Sequence, residues 1–374
     1  MLVLTGARLF DGAHFLDDRA LVLDGARIKA IVAHKERPRG GVERDLGGGL
    51  LAPGFIDVQV NGGGGALVNE DPSPETLLKI AAAHRPYGSV GVMPTLVTDA
   101  PELTPRAIQA TREARRLNPA ILGIHLEGPF LDMKRKGAHD PRYIRPMQRE
   151  DLELIASADC GAVMLTLAPN RVPVEFVREL SARGVFVSLG HSEATYTQAC
   201  AALDGGARAF THLHNAMSPL TGREPGMVGA ALSDAGSFVG IIADGHHVHP
   251  TTMQIAFAAT RRDRFMLISD AMPPAAGGPN RFRLQDRWIV KADNCLRLED
   301  GTLAGSLLTM DEAVRYCVHN LGLPLADALV MASRAPAEFL RRDKDLGRLA
   351  PGYLASLVHL DDDLKVREVW VGGS

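Results

Sequence analysis

No apolar run in this chain is long enough to cross a membrane, so a helical transmembrane protein is excluded. Cysteine is scarce as well, with four in 374 residues. Cys160, Cys200, Cys295 and Cys317 stand far apart without a CxxC pair, so reduced core residues are expected in place of a disulfide framework. Neither sign of charge is in large excess: the formal net charge is −3. That argues against a general nucleic-acid footprint and leaves room for a local basic pocket. Gly62 to Gly65 are not followed by Gly-Lys-Ser/Thr, and GxGxxG is absent, so no phosphate loop or dinucleotide site is expected. Those glycines more simply let backbone pass close to a substrate. The opening MLVLTGARLFDGAHF is interrupted by Arg8 and Asp11 and lacks the basic start and long apolar region of a signal peptide, so a cytoplasmic protein is expected. Internal repeats, low-complexity segments and long linkers are also missing.

What remains is an ordinary globular balance, 46% hydrophobic and 23% charged. The length exceeds the usual size of one hydrophobic core and predicts a large domain with a smaller one. Short β-prone runs alternate with turns in the first fifty residues: Leu2 to Thr5, Ala20 to Leu23, and Arg27 to Val32 after the Asp24-Gly25 turn. The pattern returns at Ser356 to Leu360 and Val366 to Val371. Residues 1–52 and 347–374 are therefore expected to form a small β-sandwich domain around a central domain of residues 53–346.

Inside that central domain eight apolar runs recur, mostly with helical segments between. They are Phe55–Val60, Val90–Val97, Ile121–Leu126, Ala162–Leu167, Val185–Leu189, Arg208–Thr211, Phe238–Ala243 and Phe265–Ser269. Ser73-Pro74-Glu75 signals a helix start, and Pro173 to Arg183 and Pro250 to Arg261 have helical spacing after a proline. The alternation predicts an α/β fold, a (β/α)8 TIM-like barrel with its active site at the carboxyl ends of the strands. A doubly wound open sheet is the competing architecture. A β-hairpin insertion is expected over Arg281 to Leu303, then helices over Met310 to Asn320 and Leu325 to Ser333.

Four of the runs end in a group that can carry chemistry: Glu127, His191, His212 and Asp270. Each has a structural alternative. Glu127 could serve a turn, His191 cap a helix, His212 sit satisfied in the core, and Asp270 bond strand-end amides. Their joint occurrence at strand ends three, five, six and eight favours chemistry. One carboxylate and two imidazoles suit a divalent transition metal with an open position for water. A further carboxylate beside that water can take its proton.

Ten segments in order carry a resemblance. They are PGFIDVQVNGGGG (Pro53 to Gly65), PTLVTD (Pro94 to Asp99), GIHLEGPFL (Gly123 to Leu131), KGAH (Lys136 to His139) and GHS (Gly190 to Ser192), then THLHNAMSPLTGREPG (Thr211 to Gly226), DGHHV (Asp244 to Val248), LISDAM (Leu267 to Met272), LAGS (Leu303 to Ser306) and GRLAPGYLASL (Gly347 to Leu357). Along nearly its whole length the chain resembles the N-acetylglucosamine-6-phosphate deacetylases of the amidohydrolase superfamily. The resemblance implies Glu127, His191 and His212 as ligands of one divalent metal, zinc first, with iron, cobalt or manganese as alternatives. It implies Asp270 as catalytic acid/base. It also implies substrate contacts from Ala138, His139, Asn215, Ala216, Arg223, Asp244, Gly245, His246, His247, Leu303, Ala304 and Gly305. Many amidohydrolases carry His-x-His at the first strand end. Here Gln59-Val60-Asn61 stands there, and because amides are poor zinc ligands a single metal is expected, with Gln59 and Asn61 counted among the substrate-contacting groups. A homodimer is implied by resemblance alone, through an Arg223 that reaches a neighbouring subunit's site. His214 and His246 depart from the family pattern and are expected to touch the sugar pocket or an adventitious metal.

The resemblance implies hydrolysis of the acetamide of N-acetylglucosamine 6-phosphate, with Asp270 moving the proton, His139 helping to stabilise the oxyanion and Arg223 suited to a phosphate. N-Acetylgalactosamine 6-phosphate is the near alternative. A cyclic-amide or N-acyl-amino-acid hydrolase would share the metal site, and a non-enzymatic sugar-phosphate sensor would require a lost base or ligand. His84, His249 and His319 are expected to be structural.

Overall fold

The computed structural model describes residues 1–373. Its centre is an eight-stranded parallel sheet curled into a nearly closed TIM-like barrel. The strands, first to eighth, are Phe55–Val60, Ser89–Val97, Gly123–Glu127, Ala162–Leu167, Phe186–Leu189, Ala209–Phe210, Phe238–Ile241 and Phe265–Leu267. Every residue of the first two strands is buried, as expected where interior side chains cover one face and helices the other. The eighth and first strands meet at a seam without a regular ladder. A bridge between Val60 and Ala271 holds it, with the Asp270 N–H donating to the Gln59 carbonyl at 2.9 Å and the Asn61 N–H to the Ala271 carbonyl at 3.0 Å.

The expected helix starts are present. The Ser73 hydroxyl accepts the Thr76 N–H at the head of Pro74–His84, and His249 caps Pro250–Ala259 by accepting the Thr251 N–H. Three strands stop earlier than expected, the sixth at Phe210, the seventh at Ile241 and the eighth at Leu267. Beyond them the backbone turns left-handed at His212 (φ 34°), Gly245 (φ 76°) and Asp270 (φ 50°). The helix expected over Met310 to Asn320 is α-helical only to Arg315 and widens into a π-turn over Tyr316–Asn320.

The chain ends build two further sheets. Leu2–Thr5, Arg19–Asp24, Arg27–Ala33 and Val42–Asp45 form one; Arg8–Phe10, Phe15–Leu16, Leu50–Pro53, Leu357–Leu360 and Val366–Trp370 form the other. Leu4, Leu9, Leu21, Leu51, Leu357 and Trp370 pack as one core between them. The insertion is a three-stranded antiparallel sheet over Arg281–Leu284, Arg287–Ala292 and Cys295–Arg297. Its Leu284 reaches the cavity at the barrel mouth.

Candidate active site

A cavity of about 370 Å³ opens at the carboxyl ends of the strands, and Glu127, His191, His212 and Asp270 all line it. His191 (φ 47°), His212 and Asp270 share the left-handed backbone region, which costs a side-chain-bearing residue on the order of 1–3 kcal/mol. That turn lifts each side chain off its strand and aims it inward. Glu127 Oε1 lies 3.1 Å from His191 Nε2 and 2.9 Å from His212 Nε2, and the two imidazole nitrogens are 3.0 Å apart. His139 stands at the rim of this triangle, its Nε2 4.0 Å from Glu127 Oε2. Its ligand atom falls within 4.8 Å of those of Glu127 and His191.

The donor set fits a divalent cation. His191 Nδ1 lies 2.9 Å from the Arg135 carbonyl oxygen, which can only accept, so Nδ1 carries the proton and Nε2 presents its lone pair to the triangle. Without a cation the cluster holds together by protonation. Burial disfavours an imidazolium at His212, yet the Glu127 carboxylate beside it raises its pKa above the ordinary value. Burial alone would raise Glu127, but its two imidazole neighbours hold it well below the usual carboxylate range. Glu127, His191 and His212 would hold a divalent cation at the same centre, where it would supply a stronger charge than that proton.

Asp270 differs. Burial, then the Glu127 charge, pushes its pKa up to about 6. Asn61 Nδ2 donates to its Oδ1 at 2.6 Å and Gln59 Nε2 to the same oxygen at 3.1 Å; Gln59 also reaches Glu127 Oε1 at 3.2 Å. Both amides thus present N–H groups, not lone pairs, to the carboxylates. Among the described residues Asp270 Oδ2 takes no hydrogen bond, so it faces the cavity free.

Of the other expected residues, Asn61, Ala138, His139, Asn215, Ala216, His247, Leu303 and Gly305 line the same cavity. Gln59 lies just beneath it, and Ala304 is fully buried behind its neighbours. His247 Nδ1 donates to Asp244 Oδ2 at 2.6 Å, and that carboxylate also accepts the His246 and His247 N–H groups. Asp244 and His246 face an adjoining cavity, so Asp244 acts on the site through His247. Gly245 (φ 76°) makes the turn between them and packs against the Tyr316 hydroxyl, where a side chain would collide. Arg223 is exposed on its loop and does not line the cavity. His214 faces an apolar groove beside Leu220 and Ile255, and His246 is exposed, so neither departure touches this cavity. Two cations were missed: Lys134 and Arg135 line it, and Arg135 pairs with Glu193. The basic run Lys134-Arg135-Lys136 just before Gly137 was their available signal.

Comparison with known proteins agrees with this geometry. The amidohydrolase family sequence model matches residues 50–374, and that of the NagA composite domain matches residues 1–51. The chain belongs to the amidohydrolase family. Within it, the chain is 44% identical over 329 residues to an N-acetylgalactosamine-6-phosphate deacetylase of Shewanella sp. (strain ANA-3), covering 88% of this chain and 83% of the relative. It is 34% identical over 363 residues to an N-acetylglucosamine-6-phosphate deacetylase of Haemophilus influenzae, covering 96% and 94%. The crystal structure of N-acetylglucosamine-6-phosphate deacetylase from Pasteurella multocida superposes with a TM-score of 0.96 at 34% identity, covering 100% of this chain and 98% of that one. The barrel and its end sheets are thus those of the family.

Proposed function

We propose that this amidohydrolase removes the acetyl group from N-acetylglucosamine 6-phosphate, releasing acetate and glucosamine 6-phosphate. The observation that carries the reading is the triangle of Glu127, His191 and His212 donor atoms, at most 3.1 Å apart, beside an Asp270 whose Oδ2 is free. The relatives' names supply the substrate class. N-Acetylgalactosamine 6-phosphate is the second reading, favoured by the 44% identical relative that bears that name.

In this reading Glu127, His191 and His212 hold one divalent metal, zinc first, with iron, cobalt and manganese as alternatives. That metal supplies Lewis acidity and makes water a better acid. Gln59 and Asn61 turn N–H groups toward the carboxylates where a second metal would need lone pairs, which supports one metal over two. Asp270 Oδ2 accepts a proton from the attacking water and returns it to the leaving amine, because an amide anion is too basic to leave unprotonated. His139, at the rim of the triangle, donates to the oxyanion of the tetrahedral carbon. His247, held by Asp244, together with Asn215, Ala216, Leu303 and Gly305, forms the walls that hold the sugar. Arg223 is exposed and does not line its own chain's cavity, which supports a homodimer in which each Arg223 serves the partner's phosphate. Four unpaired cysteines agree with a cytoplasmic location.

The test is acetate release from both 6-phosphates and from unphosphorylated N-acetylglucosamine, after metal reconstitution. Turnover restricted to phosphorylated sugars supports the reading, and the faster epimer decides between its two forms. If neither phosphate turns over while other amides do, the substrate class is wrong.

A further inference from the structure

TIM-barrel interiors are usually filled with branched apolar side chains. Directly under the site this barrel instead holds Thr95, His125, Thr166 and Ser188, from its second to fifth strands, and Thr211, just past the sixth, each no more than 1% exposed. They form one chain of hydrogen bonds. Ser188 Oγ lies 2.6 Å from Thr211 Oγ1, which lies 2.7 Å from Thr166 Oγ1, which lies 2.7 Å from His125 Nε2. His125 Nδ1 then lies 3.2 Å from Thr95 Oγ1.

The proton order can be worked out from the ends. Thr95 Oγ1 accepts the Val60 N–H at 3.0 Å and is 3.1 Å from the Met93 carbonyl, which can only accept. Its single hydrogen goes to Met93, so it accepts from His125 Nδ1–H. Both His125 nitrogens meet hydroxyls, and a buried imidazolium with no anion in hydrogen-bond contact is disfavoured, so the ring is neutral and Nε2 accepts from Thr166. Thr166 must then accept from Thr211, and Thr211 from Ser188. Run the other way, the Ser188 hydrogen has no acceptor among the described residues and the Met93 carbonyl loses its hydroxyl. Only one direction satisfies every donor.

We propose that this one-way chain, Ser188 to Thr211 to Thr166 to His125 to Thr95, positions the ligand triangle, with His125 as the positioning residue in its Nδ1–H form. His125 precedes Glu127 by two residues, so both point to the same face of the third strand. Thr211 immediately precedes His212. The chain therefore ties together the two strand ends that deliver Glu127 and His212, and across them the fourth and fifth strands. The positioning role rests on the single-metal reading above; the proton order does not.

Two measurements on the full chain test it. Nitrogen NMR of histidine-labelled protein, with His125 assigned by its loss in His125→Gln, is expected to show a protonated Nδ1 and a bare Nε2; a protonated Nε2 overturns the proton order. Zinc affinity, read by competition with a chromophoric chelator, is expected to fall 10- to 100-fold in Thr166→Val, as for other partners of ligand-bearing groups. Thr166→Ser, which keeps the hydroxyl, is expected to restore it. Thr111→Val is the control for loss of a buried hydroxyl, since Thr111 is equally buried but bonds only the Ala107 carbonyl of its own helix. Equal affinities in Thr166→Val and Thr111→Val, or no recovery in Thr166→Ser, overturn the positioning role. Wild type that binds no zinc at all overturns the metal reading and the positioning role together, while the NMR result still decides the proton order.

Discussion

Glu127 and Asp270 share one cavity, the first ending the third barrel strand and the second lying three residues beyond the eighth, and both are almost fully buried, at 3% and 8% exposure. Burial pushes each toward protonation, yet they end on opposite sides of the ordinary carboxylate range. Glu127 is held well below it and Asp270 is pushed up to about 6. The neighbours account for the difference. Glu127 is in hydrogen-bond contact with two imidazoles that can bear positive charge, whereas Asp270 accepts hydrogen bonds only from amides, feels the His212 and His247 imidazoles without bonding them, and is repelled by the Glu127 charge. Burial by itself does not tell a ligand from a base; the group on the other side of the carboxylate does.

Removing the cation breaks this comparison most severely. Chelation is expected to reduce acetate release to background, with recovery on adding zinc, measured on N-acetylglucosamine 6-phosphate. Asp270→Asn comes next. It keeps an acceptor for Asn61 but cannot carry a proton, so kcat is expected to fall by about 10²- to 10⁴-fold with KM nearly unchanged. The same substitution has a thermodynamic counterpart in the metal-free protein. The folded-state pKa is raised from 3.8 to about 6, so wild type is most stable with Asp270 protonated and loses stability as pH rises through that window. The shift corresponds to on the order of 3 kcal/mol above the window. Denaturant melts should therefore find metal-free Asp270→Asn more stable than wild type at pH 8, with the gap shrinking as pH falls from 6 toward 4. A gap independent of pH would mean the carboxylate is not strained by burial.

Much of this geometry was readable in the chain. The eight apolar runs stand out because a parallel strand covered on both faces has few solvent-facing polar residues to interrupt it, and the polar group where each run stops marks the barrel mouth. The ends of strands six, seven and eight fall short of the apolar runs, and at His212 and Asp270 nothing in the residue types announces a left-handed turn. Arg223 and Lys134-Arg135 are both basic segments between the barrel strands, the latter in a 3-10 turn over Met133–Arg135; only three-dimensional packing sends that pair into the cavity and leaves Arg223 outside. The resemblance groups Asp244 and His246 with His247, yet the turn at Gly245 leaves only His247 of the three lining the cavity with the triangle. The chain through His125 was hidden for another reason. Thr95, Thr166 and Thr211 look like ordinary β-branched strand residues, and their order appears only when hydroxyls from different strands meet inside the barrel.

The smallest expected effect is also the most discriminating between the two carboxylates. Asn61 Nδ2 donates to Asp270 Oδ1 at 2.6 Å and is among the groups that pull the Asp270 pKa down. Asn61→Ala deletes a hydrogen bond to a charged acceptor, typically about 1.5–3 kcal/mol, of which Gln59 can take over a part through the same oxygen. The remaining loss favours the protonated acid, so the Asp270 pKa rises by about one unit. In the proposed mechanism Asp270 must be ionised to accept a proton, so activity is expected to decline as pH falls through its pKa. Without a cation the Asp270 pKa is about 6, and a bound cation would favour the ionised form and lower the acid limb from there. In Asn61→Ala the limb moves upward, so activity at pH 6 drops several-fold while the plateau near pH 8 changes little. Zinc affinity should not move, because Asn61 does not touch the triangle. A joint loss of affinity and plateau activity would show instead that the amide side and the imidazole side hold each other in place and that the two carboxylates are not separable.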